Sequence, residues 1–82
     1  MTSQEYPKDI YIKLEALAPY YEGRISVYKK AGEFSTEVSI VSSESGKIYQ
    51  YVGSFYQFDE EKEAVDSSIQ KLSHYFQNLQ KN

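Results

Sequence analysis

The first apolar residues of the chain follow a helical period. Ile10, Leu14 and Leu17 recur at i, i+4 and i+7, which places them on one face of a helix. The spacing therefore predicts a helix over residues 7–18. Pro19 would end it, because proline lacks the amide hydrogen that a helix interior needs.

The middle of the chain changes to a period of two. Apolar and polar residues alternate over residues 24–30 and again over residues 33–42, which predicts two half-buried strands. Residues 47–58 are rich in tyrosine, phenylalanine, isoleucine and valine, and these residue types favour a third strand. Short connections between the segments indicate an antiparallel meander.

A long helix is predicted from Asp59 onward, because the period changes back to that of a helix. Its apolar stripe consists of Val65, Ile69, Leu72, Phe76 and Leu79. The predicted fold class is α+β, in the order α-β-β-β-α, with a three-stranded antiparallel meander sheet and two helices packed on one of its faces. Residues 1–82 form a single small domain in this prediction, and residues 1–5 and 80–82 are expected to be loose ends.

The register of the first hairpin follows from its alternation. Pairing Ile25 with Val38 places both apolar sets on one face of the sheet, whereas a shift of one residue would turn every side chain over. This pairing leaves a loop of two residues, Ala31 and Gly32, or of four residues.

Two registers are open for the second hairpin. A three-residue loop over 44–46, with Gly46 in the left-handed conformation, pairs Val38 with Val52 and Ile40 with Gln50 on the core side. A loop of two or four residues would turn the aromatic side chains of the third strand inward instead.

The first of these registers predicts an aromatic surface. With both helices on one face, the other face of the sheet carries the residues that we predict to bind a partner: Tyr28, Val41, Tyr49, Tyr51 and Phe55. Half-exposed rings in this number approach the largest apolar patches of ordinary monomers, and such patches often mark binding sites.

Composition and charge restrict the classes of function. The 82 residues include 9 Lys and Arg, 12 Asp and Glu and no cysteine, for a formal net charge of −3, so a disulfide scaffold and cysteine-ligated metal sites are excluded. No basic cluster matches a phosphate backbone, and nucleic-acid binding is not expected. No secretion signal or membrane span is predicted, so we expect a cytoplasmic protein that does not bind membranes.

Catalytic chemistry finds few candidates. His74 is the only histidine and is predicted to be a solvated residue of the last helix. The acidic group at residues 59–66 lies where a helix N-terminus stabilises carboxylates without any further function. We therefore predict no catalytic residues, no metal site and no cofactor, and the chain is not expected to be an enzyme.

The resulting hypothesis is a tyrosine-rich, acidic interaction protein that docks through its open sheet face. Its partner is another protein, most simply a second copy of the chain in a homodimer. The alternative is a module that binds single-stranded nucleic acid or a small aromatic ligand on the same face, because aromatic rings also stack on bases.

Overall fold

The computed structural model describes residues 6–15, 17 and 19–80, which form a four-stranded antiparallel sheet and a C-terminal helix. The strands are β1 (Lys8–Ile12), β2 (Tyr21–Lys30), β3 (Glu33–Ser42) and β4 (Ile48–Phe58), and the helix is α1 (Glu61–Gln80). They lie in the meander order β1-β2-β3-β4. Residues 1–5, 81 and 82, which we expect to be loose ends, lie outside the described residues, whereas Gln80 is the last residue of the helix.

The prediction of an N-terminal helix is wrong, and with it the α-β-β-β-α order, the three-stranded sheet and the pair of helices. The segment forms β1, in which Ile10 lies opposite Ile25 of β2. Ile10 and Ile12 alternate with more exposed residues, so these apolar positions also fit the period of a strand. A short isolated helix has only marginal stability in water, whereas the edge of β2 offers hydrogen-bond partners to the backbone of an added strand. Ala16 and Ala18, at the end of the predicted helix, lie outside the described residues.

The hairpin of β2 and β3 confirms the predicted register. Ile25 pairs with Val38, and the loop is the two-residue alternative, Ala31 and Gly32. Both loop residues have positive φ, 54° and 82°, as a type I′ turn requires. The twist of this turn matches that of the strands, so the hairpin continues without a bulge up to Tyr21.

The hairpin of β3 and β4 differs from the prediction because β4 contains extra residues. Hydrogen bonds from the Ser42 amide to the Lys47 carbonyl, and from the Gly46 amide to the Ser42 carbonyl, close a four-residue loop. Three register shifts follow along the ladder. Ile40 pairs with Gln50 as predicted, but Val38 meets Gly53 instead of Val52. Each bulge adds a residue to one strand and changes the face that later side chains occupy.

The core lies between one face of the sheet and α1. Its buried centre consists of Ile25, Val27, Val38, Ile40 and Leu72. The absence of a side chain at Gly23 leaves space for Leu72, since a Cβ at position 23 would lie only 2.3 Å from Leu72 Cδ2. The helix therefore approaches β2 closely at this point.

A buried polar contact joins the helix to the centre of the sheet. The hydroxyls of Thr36 on β3 and Ser68 on α1 are hydrogen-bonded at 2.6 Å, and both side chains are fully buried. A buried hydroxyl without a partner is costly, so this pair favours one position of the helix along the sheet.

The turn between β2 and β3 predicts that Ala31→Asn stabilises the protein by about 0.5–1 kcal/mol. Alanine at φ 54° is strained, whereas asparagine tolerates the left-handed region and Asn-Gly is the preferred type I′ pair. Urea unfolding would measure the gain. Gly32→Ala is the matched control and should destabilise the protein; a loss of stability in both variants would contradict this account of the turn.

The Thr36–Ser68 contact predicts a non-additive double mutant. Thr36→Val or Ser68→Ala alone should cost about 1–3 kcal/mol, because each leaves one buried hydroxyl unpaired. The double variant should cost less than the sum of the two, since no unpaired hydroxyl remains. Free energies of unfolding from urea titrations would test this, and strictly additive losses would show that the two hydroxyls do not interact.

Candidate interaction surface

The sheet face opposite α1 consists of the side chains that alternate with the core. We call this surface the open face. Its residues are Asp9 and Tyr11 of β1; Glu22, Arg24, Ser26 and Tyr28 of β2; Ser35, Glu37, Ser39 and Val41 of β3; and Ile48, Tyr51 and Ser54 of β4. Strand pairing arranges them in rows that cross the sheet.

The central row combines two tyrosines with an arginine. Tyr11 lies opposite Arg24, Arg24 lies opposite Ser39, and Ser39 lies opposite Tyr51. The rings of Tyr11 and Tyr51 are 51% and 49% exposed, whereas Ser39 is buried. The small side chain of Ser39 thus lies lower than the rings of Tyr11 and Tyr51, and the surface of this row is uneven.

Arg24 has unused hydrogen-bonding capacity. Its Nε is buried and has no hydrogen-bond partner, and none of the ion pairs formed by the described residues includes it. Asp9 and Glu37 lie in the next row and surround Arg24 with negative charge at longer range. Because Nε is shielded from solvent, a carboxylate or carbonyl of a partner could reach Arg24 only through its two Nη atoms.

Neighbouring polar groups of the open face hold one another in place. Ser26 donates to Asp9 Oδ1 at 2.6 Å, and Tyr28 donates its hydroxyl to Glu37 Oε1 at 3.1 Å. Burial raises the pKa of Tyr28 above its ordinary value of 10.0, and the hydrogen bond to Glu37 raises it further. Tyr28 therefore stays protonated and keeps its hydroxyl as a donor at neutral pH.

The five predicted site residues divide between the two faces. Tyr28, Val41 and Tyr51 lie on the open face, although Val41 has no accessible surface. Tyr49 and Phe55 do not lie on the open face. This corrects the prediction, which assumed one uninterrupted register along the strand.

The bulges of β4 cause this difference. Phe55 pairs with Thr36 instead of Ser35, packs against the core, and lies beneath the ammonium of Lys71, 5.2 Å from its ring centre. Tyr49 is the extra residue of another bulge, and its ring lies 4.6 Å from that of Tyr21, which packs against the core. Gly53 is a sequence signal for the bulge that turns Phe55 to the core side, because glycine inside a strand often marks a bulge, whereas the bulge at Tyr49 has no such signal.

Sequence reasoning missed Tyr11, Arg24 and Ile48 as members of the surface. Tyr11 was assigned to a helix, and its alternation with Ile10 and Ile12 was the signal that could have placed it on a strand. Ile48 is 55% exposed opposite Val41, where the bulge turns it outward.

A groove runs beside β4 on the helix side of the sheet. It has a volume of about 690 Å³ and is lined by residues that include Val52, Phe55, Ile69 and Tyr75. His74 and Lys71 also line it, and His74 is exposed. The groove adjoins the strand at the edge of the sheet.

An acidic residue in the first turn of α1, Glu61, binds the N-terminal segment. Lys8 donates to Glu61 Oε2 at 2.7 Å, and the Tyr6 hydroxyl donates to Glu61 Oε1. The hydrogen bond from Lys8, then that from Tyr6, lowers the pKa of Glu61 below its ordinary value of 4.5. These contacts attach the N-terminal segment to α1. Within the described ranges, no group of three or more histidine or carboxylate side chains is placed to hold a metal ion.

Comparison with family models, with curated proteins and with solved structures found no match for the chain. In the part of the chain that the structure describes, no helix has the length and apolar character that crossing a membrane requires.

The Glu61 contacts predict a specific loss of stability in acid. A lowered pKa in the folded state adds stability above the unfolded pKa, and this stability disappears as the pH falls through the lowered value. Glu61→Gln should therefore be less stable than the wild type at pH 7, and the difference should shrink between about pH 5 and pH 3. Thermal unfolding across this range would measure it.

Glu63→Gln is the matched control, because Glu63 is an exposed acid in the same helical turn. Its difference from the wild type should vary less with pH. An equal pH dependence for both variants would contradict the role assigned to Glu61.

Proposed function

We propose that the protein is a non-catalytic, cytoplasmic interaction protein and that the open face is its docking surface. One observation carries the proposal. The single helix of the described residues packs on one face of the sheet, and the other face keeps Tyr11, Ile48 and Tyr51 about half exposed. Tyrosine combines a large apolar ring with a polar end, and this pairing of properties is common at protein interfaces.

The polar groups of the open face favour a protein partner. Arg24 offers donors to a carboxylate or a backbone carbonyl, whereas Asp9, Glu22 and Glu37 offer acceptors to cations or amides. Mixed polar groups around aromatic anchors give specificity as well as affinity. A protein segment can present both kinds of group at once.

The charges of the open face argue against the alternative of nucleic-acid binding. Within its strands, the open face carries three carboxylates and one guanidinium. At the end of the β2–β3 hairpin, the charges of Lys30 and Glu33 cancel. Single-stranded nucleic acid requires a positive groove along which its phosphates run. An acidic surface repels those phosphates, so stacking on Tyr11 and Tyr51 would lack its electrostatic support.

The chemistry of the remaining residues supports a non-catalytic role. His74, the only histidine of the sequence, is exposed on α1, on the other side of the sheet from the open face. Glu61 is held ionised by Lys8 and Tyr6, so it is poorly suited to accept a proton near neutral pH. These residues do not combine into a nucleophile and base pair.

Site-specific photo-crosslinking would test the proposal. A photoreactive phenylalanine analogue at position 51 should form a discrete adduct with a protein in the cells that make this chain. The same analogue at position 20 should not, although Tyr20 is 73% exposed, because it lies in the connection before β2. Tyr11→Ser should reduce the adduct at position 51 severalfold.

The outcome depends on the fold remaining intact. Circular dichroism and thermal unfolding should be nearly unchanged in Tyr11→Ser/Tyr51→Ser, because both rings are half exposed. Unfolding of this double variant would show that the rings are structural and would overturn the proposal. Equal adducts at positions 20 and 51 would also overturn it, because they would show that neither surface is selected.

A further inference from the structure

Strand β4 forms an edge of the sheet. It is last in the order β1-β2-β3-β4, and no other strand of the described residues pairs with its outer side. Its eleven residues, Ile48–Phe58, include no charged side chain and no proline. Natural sheets usually protect an edge with such residues, because free amides and carbonyls invite another strand.

The same strand carries most of the exposed apolar surface. Among the described residues, six large hydrophobic side chains are exposed, and four of them belong to β4. These four are Ile48, Tyr49, Tyr51 and Tyr56. Exposed rings beside unpaired backbone groups match the requirements of strand addition, in which the backbone gives affinity and the side chains give specificity.

The groove between β4 and α1 gives an added strand a place for its side chains. Val52, Phe55 and Ile69 line the groove directly beside the edge. Alternate side chains of a strand that pairs with β4 would point toward this side of the sheet, and apolar ones would be buried there. The edge and the groove therefore form one surface.

The two ends of β4 carry opposite charges. Lys47 precedes the strand and Asp59 follows it; both are exposed, and none of the ion pairs formed by the described residues uses either of them. Gly53 lies midway between them in the sequence. In an antiparallel pair of two identical β4 strands centred on Gly53, Lys47 of each copy faces Asp59 of the other.

We propose that β4 pairs with β4 of a second copy of the chain, in an antiparallel two-fold dimer centred on Gly53. The inference goes beyond the proposed function, because the outer edge of β4 is a different surface from the open face. Self-complementary charge selects a second copy as the occupant, since the uncharged strand meets an uncharged strand and both ends form ion pairs.

Edge pairing also fits the charge of the open face. Two open faces packed against each other would oppose their carboxylates, whereas edge pairing leaves them side by side on one continuous sheet. The two-fold axis runs perpendicular to that sheet, so both copies of α1 lie on its other side. The dimer thus doubles the area of the open face.

The bulges of β4 limit the strength of this dimer. Three register shifts interrupt the strand and shorten each run of regular backbone. The dimer is therefore a reversible one, and micromolar concentrations are the appropriate range for its measurement.

A charge-swap experiment tests the pairing. Sedimentation equilibrium of the full chain, from about 10 to about 500 μM in low salt, should show a monomer–dimer equilibrium. Lys47→Asp and Asp59→Lys, each alone, should weaken dimerisation about five- to tenfold, because each places two pairs of like charges opposite each other. The double variant Lys47→Asp/Asp59→Lys should restore dimerisation to near the wild-type level.

Lys30→Asp is the matched control, since Lys30 is exposed and lies on β2, which is separated from β4 by β3. It should leave the equilibrium unchanged, and circular dichroism should report a folded chain for every variant. A monomer at all concentrations would overturn the pairing while the crosslinking test of the open face still stood. A dimer insensitive to the swaps but lost in Tyr11→Ser/Tyr51→Ser would overturn edge pairing in favour of docking between open faces.

Discussion

The close approach of one helix to the centre of the sheet determines the rest of this structure. Gly23 leaves room for Leu72, and the buried Thr36–Ser68 hydrogen bond fixes the helix over the middle of β3. An apolar contact and a polar contact thus act together, since the first supplies burial and the second penalises displacement. The core is one layer deep, which is all that a chain of this length can bury.

One-sided packing explains the composition of the open face. Among the described residues one helix covers one face of the sheet, so the side chains of the opposite face must tolerate both water and neighbouring strands. Tyrosine, serine and charged residues meet this requirement, and the rows of the open face are built from them. Tyr28 and Glu37 are held together by a hydrogen bond, whereas Arg24 Nε is buried without a hydrogen-bond partner. Such hydrogen bonds order side chains of the open face in the free protein, and this would lower the entropic cost of the proposed docking.

The sequence predicts the elements of this fold better where their pattern is local. The β2–β3 hairpin was predictable because alternation of Ile25 and Val38 fixes its register and Gly32 suits its turn. The N-terminal strand was not, because Ile10 fits both periods and the choice depends on the distant edge of β2. The face occupied by Phe55 depends on bulges, and bulges leave no periodic signal in β4.

The candidate site was predictable to a similar extent. Tyr28 follows from alternation alone, whereas Tyr51 follows from one of the two registers that the sequence leaves open; the structure places both on the open face. Tyr11 and Arg24 belong to one row only because β1 pairs with β2, which the predicted helix concealed. The sequence shows that β4 has no charged residue. That β4 lies at the edge of the sheet follows only from the order of the strands.

The orientation of β4 is the central claim, and nuclear Overhauser contacts of its rings measure it most directly. The account predicts contacts from the Phe55 ring to the side chain of Lys71 on the helix, and from the Tyr51 ring to Ser54 and Ser39. Contacts from the Tyr51 ring to Leu72, together with contacts from Phe55 to Tyr28, would contradict it.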